Sequence, residues 1–270
     1  MSGGSREPGR TVTSRVLAVL EAFETERRSL TLTEIADHAQ LPLSTAHRLV
    51  GELTDWGMLS RNAAGRYQVG IRLWELAQNA GRALRETARP FLQDLYSLTG
   101  ETAHLAVRQG GEALYIDRVY GTKRVPRAAR VGGRLPLHAT AVGKVLLAFE
   151  EDWVREAYLA GDLEQRTAHT HVHPGRLADE LVRIRAQGYA TTAGEVREGS
   201  CSIAVPVFHT GRLGAAIGVV MPSNQADTMH RYLPTLRGVS GRLERATAHI
   251  PLETLLTAVT PGADRPRRSR

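Results

Sequence analysis

The sequence predicts an α+β protein, with an N-terminal winged helix-turn-helix, a linker helix, and a C-terminal antiparallel sheet accompanied by helices. Three observations predict it. Residues 31–59 (TLTEIADHAQLPLSTAHRLVGELTDWGML) read as two short amphipathic helices joined by a tight turn. Short strand-like runs follow at once around the turn NAAG at 62–65. From Glu101 onward, the apolar spacing changes from helical to alternating, and antiparallel strands with helices grouped between them mark an α+β domain.

Each element has its own reason. Val16, Val19, Leu20 and Phe23 repeat at i, i+3, i+4, i+7, which predicts a supporting first helix. Thr31 with Glu34 three positions later is a capping box that opens the second. Leu41 precedes Pro42 and is pushed out of helical geometry, so that helix ends there, while Pro42 is suited to begin the next. In the third helix Ala46, Leu49, Val50 and Leu53 form the inward stripe. Runs 57–61 and 66–69 then predict a hairpin, the wing. Leu73, Leu76, Ala77, Ala80 and Leu84 share one stripe, giving a linker helix over 70–89, with a second helix from Pro90 to about Leu98. The small face Ala77, Ala80 and Ala83 suits packing on a symmetry mate and packing within one subunit equally well.

Beyond Glu101, residues 102–108 and 113–119 predict a hairpin around Gly110 and Gly111. A further strand is expected at 128–131 and a compact apolar helix at 139–149. A longer helix is expected at 174–187, closed by Gly188. Strands at 189–192, 202–208 and 213–221, the last two joined by the turn HTGR, precede a closing helix at about 225–248. Such a sheet with loops over one face usually carries a small-molecule pocket. The implied domains are a disordered leader at 1–10, the winged helix at 11–70, the linker helix at 71–89, a ligand-binding domain at 90–250, and a disordered basic tail at 251–270.

Composition narrows the class. The chain has 270 residues and a net charge of +7, enough length for two domains. It lacks an apolar run of about 18 residues, so no membrane span is expected, and its N-terminus has no secretory pattern. One cysteine, Cys201, excludes an intramolecular disulfide and suits a reducing cytoplasm. Residues 1–85 hold 11 basic and 9 acidic side chains, a net of +2. Attraction to a phosphate backbone must therefore come from a focused patch and from dimerisation.

The outward face of the third helix is small, polar and basic at its N-terminal end, the end from which recognition helices contact base edges. The side chains expected at DNA are Thr33, Ser44, Thr45, His47 and Arg48, with Arg61 and Arg66 of the wing on phosphates.

The segments LPLSTAHRLVGEL–WG with GRYQVGIRL, TGETAHLAVRQGGEALYIDRV, RVGGRLPLHATAVGK, and GYA–IAVPVF–GRLGAAIGVVMPS resemble, in this order, the IclR family of bacterial transcription regulators. The resemblance runs from about Thr11 to His249. It implies a GAF-like effector domain, double-stranded operator DNA as a partner, a dimer or dimer of dimers, and control of a metabolic operon, as a repressor, by a small organic acid. It places the effector near Leu137, Ala141, Val142, Thr192, Cys201, Ser202, Gly218 and Val220. Glyoxylate-responsive members carry a carboxylate at the position of Thr192 and serines at those of Gly218 and Val220. This chain lacks all three, which implies a more apolar pocket suited to a larger or aromatic acid.

Other chemistries fit less well. Arg118, Lys123, Arg124, Arg127, Arg130 and Arg134 carry six positive charges without an acid between them. They read either as a solvated loop or, at Arg130 or Arg134, as an anion-favouring wall, with the backbone at Gly132 and Gly133 able to approach a carboxylate. The run 141–144 (AVGK) ends like a phosphate loop but has His138 where the first glycine belongs, and Val145 in place of the magnesium-binding hydroxyl. His169, His171 and His173 alternate without a nearby carboxylate or cysteine ligand and read as loop, so no metal or cofactor is expected. A lone Cys201 reads as a small buried hydrophobe rather than a nucleophile. The competing function is a small-molecule enzyme or sensor whose N-terminal domain only dimerises.

Overall fold

A computed structural model describes residues 11–24, 29–77, 82–121, 129–252 and 255. The chain divides into two units, Met1–Ala80 and Gly81–Arg270.

In the first unit, α1 (Val12–Glu21) begins where Thr11 Oγ1 accepts the Ser14 amide at 3.1 Å. At the start of α2 (Leu32–Ala39), Thr31 Oγ1 accepts the Glu34 amide at 3.2 Å and Glu34 Oε2 accepts the Thr31 amide at 2.7 Å. Two otherwise orphaned donors are thus satisfied. Gln40 ends α2 in the left-handed conformation (φ 53°), and Pro42 stands as the cap just before α3 (Leu43–Asp55). Ala46, Leu49 and Val50 are the buried stripe of α3. Val19, Leu30, Ile35, Ala39, Leu49, Val50 and Leu59 make one core. β1 (Leu59–Arg61) and β2 (Tyr67–Val69) pair antiparallel. Asn62 Oδ1 accepts from the Ala64 and Arg66 amides, which closes the intervening loop. Leu30 bridges to Tyr67, so the wing is tied to the chain entering α2. α4 (Ile71–Ala77) follows.

The second unit opens with α5 (Arg82–Thr99). β3 (Thr102–Gln109), β4 (Glu112–Val119), β5 (Arg134–Pro136), β6 (Ala190–Ala193), β7 (Ser200–His209) and β8 (Arg212–Pro222) form one sheet. Its order is β5-β4-β3-β8-β7-β6, and its neighbours pair antiparallel. Between β5 and β6 lie α6 (Ala141–Ala148), α7 (Asp152–Leu159) and α8 (Pro174–Gln187), and α9 (Leu233–Thr247) closes the unit.

Strand alternation assigns the two faces. Leu105, Val107, Cys201, Ile203, Val205, Ile217 and Val219 pack with Leu84, Leu92 and Leu95 of α5 and with Leu236, Val239 and Leu243 of α9. Ala106, Ala204 and Ala216 face the other way, toward α6 and toward Leu177, Leu181 and Ile184 of α8.

The alternation breaks once in β4. Asp117 pairs with Leu105 and Tyr115 with Ala106, leaving Ile116 as the extra residue of a bulge. Arg118 then pairs with His104 and shares a face with Tyr115, although the two are an odd number of residues apart. Asp117 turns to the opposite face, where Arg89 of α5 donates to both its oxygens at 2.9 and 3.0 Å.

Three sequence-based expectations are corrected. α5 continues through Pro90 without ending. Leu84, Ala88, Leu92 and Leu95 are buried on one side while Pro90 is exposed, so the Glu86 carbonyl that loses its partner can be solvated. Residues 129–131 are not strand; the short edge strand is Arg134–Pro136, and Ala128 lies outside the described residues. The closing helix expected at about 225–248 is α-helical only from Leu233 to Thr247, with 3-10 turns over Ser223–Tyr232 before it, while α7, none of whose eight residues is buried, has no counterpart in the sequence-based expectations. The leader at 1–10, most of the tail, and Lys123, Arg124 and Arg127 lie outside the described residues.

Replacing Thr31 by Ala removes the hydroxyl that accepts the Glu34 amide, while the Thr31 backbone N–H can still donate to Glu34, and should destabilise the first unit by about 1 kcal/mol, read as a lower urea midpoint.

Candidate functional site

The face of the sheet toward α6 carries a pocket. Its floor follows from strand register. One row runs Arg118, His104, Gly218, Ala204 across β4, β3, β8 and β7. A second runs Val220, Ser202, Thr192 across β8, β7 and β6. Tyr115, Thr140, Glu195 and Val196 add walls. Thr140 caps α6 by accepting the Gly143 amide at 2.9 Å. Thr192 and Ser202 hydroxyls meet at 2.6 Å.

The charges divide between two ends. Arg118 donates through Nη1 to the Ala129 carbonyl at 2.9 Å and lies over the Tyr120 ring at 4.8 Å, which sets its direction. Opposite, both oxygens of Glu195 stand within 2.9 Å of Lys144 Nζ. That ammonium is fully buried in α6 and also donates to Glu180 Oε1 at 2.7 Å. Thr170 Oγ1 donates to the Glu195 carbonyl at 2.7 Å, and Thr167 Oγ1 donates to that of Gly194 at 2.7 Å, so this corner of the wall is held by hydroxyls. Burial pushes the Glu195 carboxyl up, while Lys144 pulls it down. Burial also drives the Tyr115 hydroxyl up, and it drives His104 down to about 3, with Arg118 adding to the effect. His104 is therefore a neutral imidazole in the pocket near neutral pH.

The pocket takes in Thr192, Ser202 and Val220 of the sequence-derived positions. Gly218 lies in the floor row but contributes no side chain, and a Cβ there would meet the Ile203 carbonyl at 2.8 Å. Leu137, Ala141 and Val142 are buried among the apolar residues of α6 and its neighbours, outside the pocket lining. Cys201 is a correction. It faces α5 and α9, is buried, donates to the Pro222 carbonyl at 3.3 Å, and its thiol is pushed by burial up to about 11. Its neighbour Ser202 has the pocket side because successive strand residues alternate. Arg130 and Gly132 are exposed in the turn before β5, and exposed Arg134 donates to Gln109, so none of the three lines the pocket. The cation that does is Arg118. Sequence reasoning does not single out His104, Tyr115 or Glu195, although a bulge-aware register of the hairpin groups the first two.

His169, His171 and His173 sit in the loop before α8 rather than on a strand. His173 caps α8, and His171 pairs with Glu180 at 2.9 Å.

In the first unit, Thr33 is exposed on α2, Ser44, His47 and Arg48 are exposed on α3, and Thr45 is half-buried. Arg48 pairs with Glu52 at 2.6 Å with both side chains more than half exposed. Such a surface pair is worth about 0.3–0.5 kcal/mol and is readily exchanged for another anion. Arg61 donates to the Gly65 carbonyl at 2.9 Å on the exposed edge of the wing. Arg66 is differently placed: it donates to Glu34 Oε2 at 2.6 Å and to the Ser29 carbonyl at 3.1 Å, clamping the wing onto α2.

Comparison with known proteins gives a consistent picture. A family model described as "IclR helix-turn-helix domain" matches residues 12–63, and one described as "Bacterial transcriptional regulator IclR C-terminal" matches residues 78–244. The chain is 34% identical to the HTH-type transcriptional regulator XynR of Escherichia coli, over 79% of this chain and 86% of that protein. It is 31% identical to the Pca regulon regulatory protein of Pseudomonas putida, over 85% and 81%. A crystal structure of an IclR homologue from Microbacterium hydrocarbonoxydans complexed with 4-hydroxybenzoate superposes with a TM-score of 0.81. It is 34% identical and covers 87% of this chain and 98% of that one.

The depressed His104 predicts a pH dependence. The unfolded histidine titrates near its ordinary value of 6.5 and the folded one at about 3, so between these values the unfolded state binds more protons. Stability is undiminished above about pH 6.5 and is lost as pH falls toward 3. At pH 4.5 the loss from this residue is about 3 kcal/mol. Urea titrations across this range should show a shallower fall for His104→Phe than for the parent chain.

Proposed function

Since this chain belongs to the IclR family of bacterial transcriptional regulators, we propose that it is a cytoplasmic repressor of a metabolic operon, released or recruited by a small aromatic acid. The exposed N-terminal turn of α3 carries the reading of DNA. Ser44, Thr45, His47 and Arg48 contact a major-groove half-site, Thr33 approaches the flanking backbone, and Arg61 holds a phosphate from the wing. Arg66 serves mainly to orient the wing, because its charge is already matched by Glu34. A dimer, alone or paired into a tetramer, reads two half-sites of symmetric DNA. On this reading the DNA-binding domain occupies 11–70 and the effector domain 90–250, joined through residues 71–89.

The pocket supports an acid of aromatic size. A cation, Arg118, forms one wall, apolar Ala129, Leu135, Val196 and Val220 line the space between, and the Thr192 and Ser202 hydroxyls stand at the far end. The relative bound to 4-hydroxybenzoate makes that compound the first probe. Ligand binding in the second unit alters operator affinity through the arrangement of subunits. An enzymatic reading has less support, because Cys201 faces away from the pocket with a raised thiol pKa.

The DNA assignment is tested on the region upstream of the protein's own gene. The purified chain should protect a palindromic segment from nuclease, and Arg48→Ala should weaken binding to it by roughly 1–3 kcal/mol, the worth of a bidentate base contact. Unchanged affinity in an anisotropy titration would remove Arg48 from the interface.

A further inference from the structure

The pocket's least expected member is His104. Its side chain is 5% exposed, and its Nε2 is buried without a hydrogen-bond partner among the described residues. The ring is held edge-on to Tyr115, with centroids 5.3 Å apart and planes at 76°. An unsatisfied buried polar atom of this kind is uncommon and calls for a partner. Because His104 and Arg118 are register partners, their side chains stand side by side, with Cβ atoms about 5 Å apart. A neutral imidazole offers one N–H. Beside a guanidinium, that N–H makes a two-point seat for an oxyanion, with one oxygen on each group.

The rest of the row gives the ligand its shape. Next to His104 in the row comes Gly218, which has no side chain to crowd the ring, and Ala129, Leu135, Val196 and Val220 add apolar walls. Just beyond stand the Thr192–Ser202 hydroxyl pair and Glu195. We propose that His104, with Arg118 beside it, is the carboxylate-recognising residue of this pocket, and that the pocket selects a flat monocarboxylic acid bearing a hydrogen-bonding group at its far end. The proposal rests on the reading of the second unit as an acid-binding effector domain.

Calorimetric titration of the full-length chain with 4-hydroxybenzoate and with 4-hydroxybenzamide tests it. The parent chain should prefer the acid by tenfold or more. His104→Leu should lose at least tenfold in affinity for the acid and most of the preference, and His104→Gln, which keeps a donor, should recover part of both. A purely structural role would weaken both ligands alike and so overturns the proposal, as does an unchanged preference in His104→Leu. A co-crystal structure of the parent chain with 4-hydroxybenzoate decides the matter even if the variants do not fold. A carboxylate oxygen within hydrogen-bond distance of His104 Nε2 supports the proposal. A carboxylate seated elsewhere in the pocket overturns it while leaving the effector reading intact, and failure of the acid to bind the parent chain overturns both.

Discussion

The second unit depends on the pleat of β3, β7 and β8, and on the one place where β4 departs from it. Three long central strands alternate so that one set of side chains meets α5 and α9 and the other lines the pocket and α6. The bulge at Ile116 then reverses the phase of β4. Without it, Tyr115 and Asp117 would share a face and Arg118 would point at α5. With it, Asp117 finds Arg89, and Arg118 joins His104 and Tyr115 over the pocket. One extra residue thus sends an acid to the packed side and a base to the pocket side.

A second constraint is the charge inside α6. Lys144 is fully buried and satisfied by Glu180 and Glu195. Removing one member of such a group strands the others in a low dielectric, typically at a cost of about 3–5 kcal/mol. The ion cluster therefore fixes where the Glu195 loop lies, and with it the wall of the pocket. In the first unit the Arg66–Glu34 pair acts similarly on a smaller scale, joining the wing to the start of α2.

Much of this was legible in the sequence. The capping box at Thr31, the stripe of α3, the Gly188 stop of α8 and the late hairpin are local signals, set by a few neighbouring residues, and they lie where expected. The pocket was legible only in part. Thr192, Ser202 and Val220 were indicated by family resemblance, whereas Cys201 was placed on the wrong face because adjacent strand residues point oppositely. Arg118 was grouped with a charged run because a bulge leaves no sequence signal as strong as alternation itself. Lys144 was weighed only as the end of a phosphate loop, since its carboxylate partners lie 36 and 51 residues away. Pro90 was taken as a boundary although the exposed side of a helix tolerates it. Non-local pairings account for most of what sequence reasoning missed.

On the proposed reading, an acid held at Arg118 controls the grip of α3 on DNA. The direct test is fluorescence anisotropy of the footprinted operator, titrated with the full-length chain with and without 4-hydroxybenzoate, for the parent and for Arg118→Ala. The acid should change operator affinity in the parent by about fivefold or more, and this change should vanish in Arg118→Ala. An equal ligand-dependent shift in both proteins, or none in the parent, would contradict it.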